Sequence, residues 1–234
     1  MNPSDPLNIN YPRTTDQIAI ASNTLIRQVY AWMGGGLLVT AFMAMVTLSS
    51  PALLNAVFGN RLVFYGLILG ELGLVIAISG AINRLSAATA SLLFLLYAAL
   101  NGVTMSVIFA VYTAESVSST FVITAATFGS MSAFGYLTKR DLTGWGSFLF
   151  MGLIGVVIAS LVNIFTQSSA VSWIISAVGV IVFTGLTAYD TQKIKAMAAS
   201  GVEGRKPAIL GALTLYLDFI NLFLMLLRLL GNRR

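Results

Sequence analysis

Three carboxylates are the residues best placed to do chemistry in this chain: Glu71, Asp190 and Asp218 each lie within or at the edge of a long apolar stretch. A carboxylate near the middle of a bilayer costs about 2.5–3.5 kcal/mol on insertion scales, so it faces the protein interior, takes a proton or finds a partner. Asp190 sits in Thr187-Ala188-Tyr189-Asp190-Thr191-Gln192, just ahead of Lys193 and Lys195. It reads either as a helix-end carboxylate among headgroups, neutralised by those lysines, or as a functional group. Asp218 sits in Leu215-Tyr216-Leu217-Asp218-Phe219-Ile220-Asn221, where headgroup solvation is out of reach. Glu71 is either a hydrogen-bond partner for Asn101 or Asn163 on neighbouring helices or a group on an ion path. Arg84, in Asn83-Arg84-Leu85, is either a topology anchor or a salt-bridge latch for an aspartate. If Asp190 and Asp218 meet, two carboxyl groups in low dielectric cannot both ionise cheaply, so they share one proton and sense pH without histidine. Once deprotonated, the same oxygens suit a hard cation such as calcium, which takes about six to eight oxygen ligands.

Other chemistries are excluded by composition. The chain has no Cys and no His, which removes disulfides, zinc sites of the Cys/His kind, thiol proteases and every imidazole base. Of its 234 residues, 57% are hydrophobic and 9% charged, where a soluble domain carries about 25% charged residues. With a mean hydropathy of +0.88, the apolar residues outnumber what one aqueous core can hide, and the missing solvent is lipid. The formal charge of +5 follows from basic loops obeying orientation rules, and without a polar stripe carrying interleaved aromatics no nucleic-acid partner is expected. Gly34, Gly35 and Gly36 lack a preceding strand and a following Lys-Ser/Thr, so they are no phosphate cradle.

The elements that must position the carboxylates are membrane helices. About 20 apolar residues cross about 30 Å of hydrocarbon, and seven stretches qualify: 28–48, 62–82, 87–112, 120–137, 146–165, 171–189 and 208–231. The expected organisation is an uncleaved polar tail (1–27), a seven-helix transmembrane domain (28–231) and a short basic carboxyl tail (232–234). With the amino terminus inside, Arg13, Arg27, Arg84, Lys139, Arg140, Lys193, Lys195, Arg205 and Lys206 are cytoplasmic, against Arg61, Arg228, Arg233 and Arg234 on the other side. The last helix either spans fully or dips and returns; seven full spans are preferred. In this frame Asp190 and Arg84 lie near the cytoplasmic face and Asp218 about 15 Å along its helix, so the aspartates meet only with tilt or staggered ends. Gly66, Gly70, Gly73, Gly129, Gly135, Gly152 and Gly155 are expected to let helices pack closely.

The stretch Gly135-Tyr136-Leu137-Thr138-Lys139-Arg140-Asp141-Leu142, the run Tyr189-Asp190-Thr191-Gln192 and the last span with Leu215-Tyr216-Leu217-Asp218 together resemble the Bax inhibitor-1 family. This family is also called the transmembrane Bax inhibitor motif family, and the resemblance is to its bacterial inner-membrane branch. It covers nearly the whole length after the tail. It implies an all-α bundle wrapped around the last span and a pH-sensitive calcium leak governed by a pair of aspartates, matching Asp190 and Asp218, which would also face the ion. A latch arginine would match Arg84, and a carboxylate toward the pore would match Glu71. The implied partners are membrane lipids and calcium, the latter as permeant or weakly bound ion, with no other cofactor and no enzymatic activity. The resemblance also implies a second role, in which an inner-membrane AAA+ protease grips the cytoplasmic tail at 1–27. An intramembrane aspartyl protease is a third class, since Tyr189-Asp190 resembles half of the presenilin pattern. Its other half, Gly-x-Gly-Asp, is missing before Asp218. A secondary transporter is disfavoured because the two halves show no obvious repeat and no paired Gly/Pro-broken helices.

Overall fold

The computed structural model describes residues 15–233, with side chains from residue 23 onward. Eight helices follow one another: α1 (Thr15–Ser49), α2 (Pro51–Phe58), α3 (Arg61–Ala81), α4 (Ala87–Val111), α5 (Ala114–Leu137), α6 (Thr143–Thr166), α7 (Ser169–Ala199) and α8 (Arg205–Leu230). All but the short α2 are long and apolar enough to cross a membrane. Their starts are set by side chains that accept an otherwise orphaned N–H: Asn60 from Leu62, Ser86 from Thr89, Thr113 from Ser116 and Ser168 from Val171. α2, which the apolar-length criterion passes over, is built the same way, with Ser50 as cap and Pro51 in the first turn.

Three helices exceed their expected spans by six residues or more. α1 runs back to Thr15, inside the stretch expected as a tail, and Leu25 is only 2% exposed in the core. α5 starts at Ala114, with Glu115 in its first turn, where the positive end of the helix dipole favours it. α7 continues past Asp190 to Ala199, so that aspartate lies within the helix and not at its end. A tail gripped by a protease falls chiefly on residues 1–14, outside the described residues.

The bundle is wrapped around α8. Of its apolar stretch 72% is buried, against 6% in α3 and 11% in α6, which turn long rows of Leu, Ile, Val and Phe outward to lipid. α8 packs against α1, α3, α4, α5 and α7. It traverses the whole bundle. At its start, the Lys206 ammonium donates to the carbonyls of Asn83 (3.2 Å) and Leu85 (3.0 Å) in the α3–α4 turn. Beyond its far end, the Thr113 N–H donates to the Asn232 carbonyl (3.2 Å), and the Asn232 N–H to Ser116 Oγ (2.9 Å). These two anchor points lie at opposite ends of α4, which rules out a dip and return.

The expectation that seven glycines serve helix packing holds for two of them. A methyl group on Gly135 would strike the backbone of Ala188, and one on Gly152 would meet Val182, whereas Gly66, Gly70, Gly73, Gly129 and Gly155 have nothing within 4 Å. Those five occupy outward faces, a distinction that spacing alone does not carry. Gly102 against Thr40 and Gly146 against the Tyr189 ring are close approaches outside that set.

Candidate functional site

The longer α7 supplies the depth that the aspartates need. Asp190 is nine residues before the end of α7, about 14 Å along the axis. Asp218 is thirteen residues beyond the start of α8, about 20 Å along its axis. Because the 200–204 connection joins those two helix ends, the aspartates differ in level by only about 6 Å. Both are buried, at 8% and 4% exposure, and their side chains hydrogen-bond to each other. Asp218 Oδ2 receives no N–H or O–H donor from the described residues. Two buried carboxyl groups in contact are an arrangement that a shared proton would satisfy.

The pair lines a cavity of about 420 Å³ between α6, α7 and α8, together with Ser147, Thr214, Tyr189 and Lys193. Lys193, one turn after Asp190, interacts with it electrostatically. Among the described residues no three acidic side chains gather to hold a metal. The cavity instead offers two carboxyl groups, the hydroxyls of Ser147, Thr214 and Tyr189, and the Lys193 ammonium.

Glu71 and Arg84 lie elsewhere. Glu71 accepts a hydrogen bond from the Thr104 hydroxyl (2.7 Å) and one from Asn101 Nδ2 (3.3 Å), so Asn101, and not Asn163, is its amide partner. The Tyr216 hydroxyl donates to Asn101 Oδ1 (3.0 Å), and its oxygen lies 2.6 Å from Thr40 Oγ1. This polar chain ties α1, α3, α4 and α8 together across the apolar interior. Tyr216 and Asp218 are two positions apart, about 200° around the helix, so the chain and the aspartate pair occupy opposite sides of α8. Arg84 is exposed in the turn after α3 and forms no ion pair with either aspartate.

Two of the three motif stretches that carry the family resemblance, 135–142 and 189–192, meet in space. Gln192 on α7 clamps the α5–α6 turn, donating to the Arg140 carbonyl and accepting the Leu142 N–H, both at 2.8 Å. The Lys195 ammonium donates to the Tyr136 carbonyl at 2.6 Å. Gly135 admits the α7 backbone and Gly146 admits the Tyr189 ring. Gln192, Thr214 and Ser147 are contributors that the carboxylate-led reading did not single out; Thr214, four residues before Asp218 on α8, was the one open to helical spacing.

Residues 22–234 match the family described as "Inhibitor of apoptosis-promoting Bax1". The inner membrane protein YbhL of Escherichia coli K12 is 56% identical over 216 residues, 90% of this chain and 92% of that one. An uncharacterized protein of Borreliella burgdorferi is 49% identical over 223 residues, covering 93% and 96%. An uncharacterized membrane protein of Streptococcus pyogenes serotype M3 is 40% identical over 220 residues, covering 92% and 96%. With its seven apolar helices and these relatives, the chain is a multi-pass inner-membrane protein that belongs to the Bax inhibitor-1 family.

Proposed function

We propose that this protein is a calcium leak whose gate is the proton shared by Asp190 and Asp218. The observation that carries this reading is the buried contact of the two carboxyl groups beside a polar cavity between α6, α7 and α8. While the pair holds its proton, α7 and α8 are bridged. Loss of that proton leaves two like charges in contact in a low dielectric, which repel and separate the helices. The freed oxygens then face the cavity and coordinate a passing divalent cation. Glu71 is engaged by Thr104 and Asn101, so any part it takes in attracting the cation requires those bonds to open. The latch reading of Arg84 belongs to a conformation that brings it to an aspartate, unlike the one described.

Reconstituted in liposomes with a calcium-sensitive dye inside, the wild-type protein is expected to pass calcium at a rate that rises with pH. In Asp190→Asn and Asp218→Asn an amide–carboxylate hydrogen bond needs no shared proton, so the pH response disappears. An unchanged pH response in both variants refutes the gate.

A further inference from the structure

A second cavity, of about 370 Å³, lies at the bases-rich end of the bundle, between the α5–α6 turn and α7. Lys139, Arg140 and Lys193 line it, with Asp141, Gln192 and Tyr189. Its one carboxylate is already used: Asp141 Oδ1 accepts the Thr143 hydroxyl (2.6 Å) and the Thr143 N–H (2.9 Å). Gln192 takes the Leu142 N–H and Asp141 the Thr143 N–H, and the cationic side chains supply the site's attraction. Lys139 and Arg140 are exposed and form no ion pair among the described residues. The backbone of the turn that carries them is fixed by the Gln192 clamp, which places both cations at the mouth of the cavity. The level is that of the headgroups: Arg27, Arg84, Lys195, Arg205 and Lys206 ring the same end, which marks it cytoplasmic. Trp145, 62% exposed in the first turn of α6, stands as an interfacial anchor beside it.

We infer that this cavity binds the phosphate of an anionic phospholipid headgroup, with the Arg140 guanidinium and the Lys139 and Lys193 ammoniums as its donors. Guanidinium presents a fork that matches phosphate oxygens, and ammonium groups add charge around it. A cavity bordered on one side by exposed apolar α6 and on the other by cytoplasm suits a headgroup whose acyl chains remain in the bilayer.

The test is native mass spectrometry of the full-length, delipidated protein titrated with phosphatidylglycerol or with phosphatidylcholine of the same acyl chains. The wild type is expected to prefer phosphatidylglycerol. In the double variant Lys139→Gln/Arg140→Gln the preference falls by about thirtyfold, as removal of two surface cations implies. A control, Arg84→Gln/Arg205→Gln, removes the same charge from the same face outside the cavity and should keep the preference. Equal loss in the control, or no preference in the wild type, overturns the inference; the latter result needs no variant to fold. Displacement of bound phosphatidylglycerol by millimolar inorganic phosphate assigns the site to a free anion and overturns the lipid; retention supports it.

Discussion

Tyr216 is the fully buried polar residue on which the middle of the bundle turns, since it joins Asn101 to Thr40 and, through Asn101, Glu71 to α8. Tyr216→Phe keeps the ring packing against Phe94 and Tyr97 and loses the hydroxyl, which should lower stability by about 1 kcal/mol in a thermal melt. Glu71→Leu strands the Thr104 hydroxyl and the Asn101 amide and should be destabilising by about 1–3 kcal/mol. Glu71→Gln preserves an acceptor and should melt near the wild type. A Glu71→Gln protein with unchanged melting and reduced calcium flux would assign that carboxylate to the ion path. That Glu71, Asp190 and Asp218 need partners inside the bundle was legible from their cost in lipid alone. Their sorting into one hydrogen-bonded chain and one carboxyl pair was not, because that depends on which side of α8 each neighbour occupies.

At the level of the element, the informative differences concern where helices begin and end. Hydropathy marks the edge of the lipid, but a helix continues into water wherever its N–H and C=O groups remain paired, as α7 does through Lys193 and Lys195. That extension raises Asp190 to the level of Asp218. The α5–α6 turn shows the opposite case, a sharp stop held by few bonds. There the Thr143 hydroxyl, and after it the Thr143 N–H, hold the exposed Asp141 carboxyl below its ordinary range. A group with a lowered folded value contributes stability above its unfolded value, near about pH 4, and loses it as pH falls through the folded value. Asp141→Ala should therefore melt below the wild type at neutral pH, with the gap closing under strong acid; a gap that is constant with pH would mean that the carboxyl's charge is immaterial to the turn.

For the whole molecule, the orientation and the path of α8 make a joint prediction. Because α8 runs from the α3–α4 turn to the α4–α5 turn, its two ends lie on opposite sides of the membrane. An alkaline phosphatase reporter fused to the carboxyl terminus should be active, as it is only in the periplasm, and one inserted at the α5–α6 turn should be silent. An inactive carboxyl-terminal fusion that is expressed at normal levels would reverse the assigned orientation. The number of apolar spans was readable from hydropathy, and their orientation is assigned from charge. The centrality of α8 came only through the family resemblance, since its apolar stretch is no more hydropathic than those of α4 and α7. That centrality also sets the order of manufacture. The ribosome makes the hub after the other six spans, so those six must sit in the bilayer with Thr40, Asn101 and Asp190 uncovered until α8 is released and threads between them. Assembly is thus a closing step after synthesis, and a nascent chain stalled before Arg205 would display those polar faces to whatever quality control patrols the membrane.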